Sequence, residues 1–271
     1  MTASPSTFFL LVFAFSVPFY LLGAVGGRLP GLPILPASAL MAFVPMIATL
    51  ILVYRQRDAY GAVALLKSAF DVRRLHGAGW TLTALLFMPA VCVLEFAVLR
   101  LSGSAVPFPQ IAPGEALFLF LAFFAGAIGE ELGWQGYVYP GLRSRQSAVR
   151  AALALGVVWA LWHVIPFVQL GRSADWIVWH GLSTVALRII IVWLFENTGK
   201  SVFIAVLFHT MINVSWALFP NAGSFYDPFI AFVILALAAG IIVLLWGSTT
   251  LARFRCHASV ASDPTGGNGS A

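Results

Sequence analysis

Two adjacent glutamates, Glu130 and Glu131, sit within an apolar run that begins near Ala116. Two later apolar runs each carry a histidine, His163 and His209, the second followed four residues on by Asn213. A carboxylate near the centre of a bilayer costs about 3 kcal/mol to insert, so a pair is kept only where it faces protein or a water-filled cavity. Residues four apart on a helix share a face, which sets Trp159 with His163 and His209 with Asn213, whereas neighbouring glutamates point about 100° apart. One glutamate can then face a cavity while the other braces it. Such a set suits hydrolysis in two ways. A glutamate in a low-dielectric site can act as general base toward water, with imidazoles orienting the water and the Asn213 amide supporting an oxyanion. Alternatively, Glu130, His163 and His209 can bind zinc and leave a fourth position open for water. The inert alternative is a bundle core in which acids and imidazoles satisfy one another; two His and two Glu on three separate runs favour function over it.

The elements that must position these groups are membrane helices. Hydrophobic residues make up 61% of the chain and charged residues only 9%, and the mean hydropathy of +0.94 lies far outside the range of soluble domains. The expected fold is all-α, a polytopic bundle of about eight transmembrane helices forming one domain over residues 1–256, with a catalytic core at about 116–216. The Ser/Gly/Pro-rich stretch 257–271 is expected to be a disordered tail. Apolar runs of the roughly 20 residues that cross a bilayer fall at 7–25, 37–54, 80–99, 116–139, 151–170, 176–195, 201–219 and 227–246. The first lacks a basic leader and a small-residue cleavage site, so it reads as a retained helix. Residues 28–36 read as a Pro/Gly turn, and the amphipathic stretch 60–70 as a short helix lying in the headgroup region. Pro18 should kink the first helix, and Pro166 should loosen the fifth just past His163. Cys92 and Cys256 are the only cysteines, which excludes a disulfide framework and a Cys-rich metal site.

A net charge of +5 reads as basic loops rather than a nucleic-acid surface, so the bilayer and a peptide are the expected partners and nucleic acid is not. With the N-terminus in the cytoplasm, eleven Lys and Arg fall on the inner side, and three, Arg28, Arg100 and Arg172, on the outer. That asymmetry supports eight spans with both termini inside, in the plasma membrane of a prokaryote. From the inner ends, Glu130 and His209 lie about eight to ten residues deep and His163 about thirteen, which at about 1.5 Å per residue puts all three in a similar layer. No internal repeat is visible, which disfavours a proton-coupled carrier relaying through Glu130 and Glu131.

Glu130-Glu131 followed by Gly133-Trp134-Gln135-Gly136, then Trp159-x-x-x-His163 and His209-x-x-x-Asn213, resembles the CAAX-processing and bacteriocin-processing (CPBP, or ABI) intramembrane protease family, which includes the CAAX prenyl endopeptidases. The family motifs read Glu-Glu-x-x-x-Arg, Phe-x-x-x-His and His-x-x-x-Asn or Asp, and they map onto about residues 116–216. The resemblance implies an endopeptidase acting on membrane-associated or prenylated-type substrates. In it Glu130 activates water, His163 assists or binds metal, His209 with Asn213 supports the oxyanion, and Glu131 is a structural or second acid. It also favours a metal-free, glutamate-activated water over zinc. Two positions depart from the pattern. Trp159 stands for the usual Phe, an aromatic exchange, and Gln135 stands for the usual Arg, which deprives Glu131 of its partner. A catalytically impaired member that binds a partner or aids maturation is therefore the alternative. Arg188, near the middle of the sixth run, needs a partner of its own. Either it pairs with Glu95 or reaches a wetter layer, or it supplies from another helix the charge that Gln135 lacks, holding Glu131 ionised and oriented.

Overall fold

The computed structural model describes residues 4–75 and 77–252; the expected tail at 257–271 lies outside them. The described chain is helical nearly throughout. In lipid each backbone N–H and C=O must be satisfied within its own segment, and only helices or closed barrels do that. Helix α1 (Pro5–Gly26) leads through a hairpin to a 3₁₀ segment (Ala37–Phe43) and α2 (Val44–Ser68); α3 (Ala78–Leu101) and α4 (Pro113–Gly133) follow. A π-helical turn (Trp134–Val138) joins α4 to α5 (Tyr139–Arg143), and α6 (Ala148–Trp162), α7 (Val164–Gln169), α8 (Ala174–Asn197), α9 (Val202–Ala217) and α10 (Pro228–Trp246) complete the bundle. Seven of the described helical stretches are long and apolar enough to cross a membrane, and α9 is a shorter apolar helix. At 16 residues it spans about 24 Å. The chain is an integral, multi-pass membrane protein.

Three local expectations are refined. The stretch 60–70 is not a separate interfacial helix: α2 runs unbroken to Ser68, because no proline interrupts residues 46–68 and each added residue closes another hydrogen bond. Residues 28–36 form more than a turn. Strands β1 (Arg28–Leu29) and β2 (Leu32–Pro36) pair antiparallel with Leu29 opposite Leu32. Pro30 presets the first turn position, and Gly31, at φ 79°, takes the left-handed second one. The fifth run divides at His163, which caps α6 and precedes α7; Pro166 supplies no N–H to continue the ladder.

Hydrogen bonds tie the loops together at two opposite ends. At one, Arg74 Nη1 donates to Gly199 O at 3.3 Å, Ala148 N to Thr249 O at 2.9 Å and Asn197 Nδ2 to Leu251 O at 2.6 Å. At the other, Gln169 Nε2 donates to Tyr20 O at 2.7 Å, Ser38 Oγ to Gln169 Oε1 at 2.5 Å and Asp227 N to Glu95 Oε1 at 2.7 Å. Between them the helices approach closely where glycine allows it. A Cβ on Gly133 would lie 2.7 Å from Pro45 O, and one on Gly156 3.0 Å from Val185 Cα. The first contact seats α4 against α2, and the second seats α6 against α8. Small residues at crossings are how membrane helices gain van der Waals contact when lipid is as apolar as leucine.

Gly133→Val therefore lowers the thermal unfolding midpoint of the detergent-solubilised protein by several degrees. Gly240→Val, whose added Cβ meets nothing within 4 Å, leaves it unchanged; equal effects from the two would contradict the close-packing account.

Candidate active site

Glu130 and Glu131 lie in the last turn of α4, and both are buried. Their divergence on the helix sends them to different partners. Glu131 accepts two hydrogen bonds from the Arg188 guanidinium of α8, Nη1 to Oε2 at 2.7 Å and Nη2 to Oε1 at 3.1 Å. His209 Nδ1 of α9 lies 2.9 Å from Glu131 Oε1. An ionised carboxylate only accepts, so Nδ1 carries the proton and donates. All three side chains are shut away from solvent: Arg188 and Glu131 are 0% exposed and His209 2%. The choice left open for Arg188 is thus decided. It pairs with Glu131 and not with Glu95, whose Oε1 caps the Asp227 N–H.

Glu130 faces the other way. Its Oε2 accepts from two indoles, Trp159 Nε1 at 2.7 Å and Trp134 Nε1 at 3.3 Å, while Oε1 lies 4.0 Å from His209 Nε2, beyond direct hydrogen bonding. A buried indole N–H seeks an acceptor, and Trp134, four residues past Glu130, shares its helix face. That spacing was the available signal for a role the sequence reading passed over. Trp159 is more than an aromatic exchange, because phenylalanine could not donate this bond. Its ring also carries the Arg188 guanidinium 4.1 Å from its centroid and stands edge-on to His209 at 5.0 Å, so one side chain touches both halves of the site.

His163 sits at the α6–α7 break. Its Nδ1 lies 2.9 Å from Trp159 O and, facing a carbonyl, donates to it, which leaves Nε2 for other partners. Glu130, Trp159, His163, His209 and Asn213 all line one cavity of about 260 Å³, whose remaining walls are mostly apolar. The structure thus brings together Glu130, Glu131, Trp159, His163, Arg188, His209 and Asn213. It does not join Gln135 to them. That amide is fully buried, and neither of its polar atoms has a hydrogen-bond partner among the described residues.

Among the described residues no three His, Cys, Asp or Glu side chains are grouped so as to hold a metal ion. Of the Glu130, His163 and His209 set expected as ligands, Glu130 Oε1 and His209 Nε2 stand 4.0 Å apart, and each imidazole donates from Nδ1, which leaves both Nε2 atoms free.

Comparison with known proteins matches the same region. Residues 112–215 fit the family model for the type II CAAX prenyl endopeptidase Rce1-like proteins. CAAX prenyl protease 2 of Methanococcus maripaludis is 32% identical over 148 residues, which cover 49% of this chain and 54% of that protein. The site-bearing region is similar to the Rce1-like CAAX protease family. The resemblance carried by the three motifs is therefore borne out, and the match spans about half the length of the curated relative. Within the Rce1-like region this chain departs from the family motif at Gln135, and it is Arg188, on another helix, that pairs with Glu131.

Removing one partner of a buried ion pair leaves an uncompensated charge and costs about 3–5 kcal/mol. Arg188→Gln is expected to destabilise the protein by that order in a denaturing-detergent titration. Glu131→Gln in the same molecule should recover much of the loss, a coupling that a double-mutant cycle measures.

Proposed function

We propose that this protein is an intramembrane endopeptidase that hydrolyses peptide bonds of membrane-associated or prenylated-type substrates with a water activated by Glu130. One observation carries the reading: a carboxylate held at Oε2 by two indoles stands in the wall of an apolar cavity beside His163, His209 and Asn213. Glu130 accepts a proton from water, whose oxygen attacks the substrate carbonyl carbon. The Asn213 amide donates to the resulting oxyanion, with His209 beside it. Glu130 then returns the proton to the leaving amine as the C–N bond breaks. His163, oriented by its bond to Trp159 O, offers Nε2 to the water or the leaving group. Glu131 takes no proton in this scheme; paired with Arg188, it positions His209. The apolar walls suit a lipid-like or strongly apolar substrate segment. The name of the archaeal relative agrees with such a substrate.

Glu130→Gln, His163→Ala and His209→Ala should each abolish cleavage of a reporter peptide by purified protein that still elutes as a folded species. Wild-type turnover in any of them removes that residue from the scheme. Activity lost on chelation and restored by stoichiometric zinc would replace the metal-free route. Trp159→Phe keeps the ring and deletes one hydrogen bond to a carboxylate, a bond worth about 1.5–3 kcal/mol. Turnover should fall about tenfold or more with little change in KM, because the lost contact orients the base and does not bind substrate.

A further inference from the structure

We infer that a second cavity, at the end of the bundle where Arg74 bonds to Gly199 O, binds the phosphate headgroup of an anionic phospholipid. The inference is independent of the chemistry at Glu130. This cavity measures about 700 Å³ and shares no lining residue with the one beside Glu130. Its walls are the terminal turns of several spans. Gln56 ends the apolar stretch of α2, Tyr137 and Pro140 lie near the close of the span that ends at Arg143, Phe195 is in the last turn of α8, and Val202 opens α9. The ends of spans lie at the level of the lipid headgroups. Past Gln56, α2 runs on to Ser68 and gives one face to the cavity, Gln56, Tyr60, Ala64 and Ser68 at four-residue spacing.

The walls are of two kinds. Val53, Leu65, Phe195 and Val202 make part of them apolar, while Ser68, Tyr137, Ser144 and Gln56 offer hydroxyls and an amide. Gln56 Nε2 donates to the Tyr137 hydroxyl at 3.1 Å, which leaves that hydroxyl's own proton for another acceptor. Among the described lining residues only Arg74 and Lys200 are charged. A cation would find no carboxylate in these walls, whereas an anion finds a guanidinium and an ammonium.

Both cations are placed by the fold. Arg74 donates from Nε to Asp71 Oδ2 at 3.1 Å and from Nη1 to Gly199 O at 3.3 Å, which ties the α2–α3 loop to the α8–α9 turn. Asp71 offsets part of its charge but does not line the cavity. Lys200 makes no ion pair among the described residues. Its backbone is held at φ 61°, directly after Gly199, also at φ 61°. Glycine adopts this left-handed region freely and a residue with a Cβ seldom does; such outliers cluster where a side chain clamps a ligand. A free phosphate would need only the two cations. The apolar wall and the position at the ends of the spans suit a molecule with an anionic head and hydrocarbon tails, and basic pockets between transmembrane helices hold such headgroups.

The full-length protein, purified in detergent, is titrated with phosphatidylglycerol or with phosphatidylcholine of identical chains, and bound lipid is counted by native mass spectrometry. Phosphatidylglycerol should bind the more tightly. Lys200→Gly should weaken it about fivefold, the worth of one basic side chain near an anionic lipid. Glycine suits the left-handed turn, so this variant removes the ammonium and keeps the fold. Ser144→Glu, which sets a carboxylate in the wall, should abolish the preference for phosphatidylglycerol. Lys67→Gln, at the same end but outside the lining, should bind as the wild type does. Equal affinity for the two lipids, unchanged phosphatidylglycerol binding in Lys200→Gly or Ser144→Glu, or an equal loss in Lys67→Gln would each overturn the inference. Displacement of phosphatidylglycerol by excess inorganic phosphate would overturn the lipid assignment and give the site to a soluble phosphate.

Discussion

The buried ion pair between Glu131 and Arg188 is the contact on which the site is assembled. Two full charges with no solvent exposure are tolerable only if paired with good geometry and further hydrogen bonds. Here the bidentate fork, the His209 Nδ1–H donor and the Trp159 face supply both. The pair links α4 to α8, and through His209 it links both to α9. Displacing any of the three helices would strand a charge in a low-dielectric interior, so the pairing holds these side chains in one arrangement.

From this bracing glutamate the geometry of its neighbour follows. Because successive residues on a helix diverge by about 100°, fixing Glu131 toward α8 and α9 turns Glu130 toward α6 and the cavity. There the two indoles take one carboxylate oxygen and leave the other toward His209. The roles of the two acids are thus divided by their surroundings rather than by their chemistry. One is neutralised by an arginine and accepts from an imidazole, and the other accepts only from neutral donors at the edge of a cavity. The glycine contacts serve the same end: Gly156 lets α8 come close enough to α6 that Arg188 reaches across Trp159.

The mouth and the floor of the cavity divide the bundle into two unlike ends. The hairpin residues Leu29 and Leu32 and the broken fifth span at His163 and Pro166 border the cavity, whereas Trp134, Val138 and Leu155, outside its lining, are fully buried.

Much of this was legible in the sequence for simple reasons. Apolar runs of spanning length, acids and histidines that lipid does not tolerate, and the asymmetry of Lys and Arg each report a one-dimensional constraint, so the all-α bundle and the set Glu130, Glu131, His163, His209 and Asn213 could be read in order along the chain. The need of Arg188 for an anion was equally plain, because a charge in mid-span must be matched. Its partner was not: Glu95 and Glu131 are both spans away, and only the packing of α8 against α6 and α9 against α4 chooses between them. The indole bonds to Glu130 and the solitary burial of Gln135 depend likewise on side-chain directions across helices. Sequence spacing determines which residues share a face, but which faces meet is decided by the tertiary fold, through close approaches such as Gly133 against Pro45 that no single helix encodes.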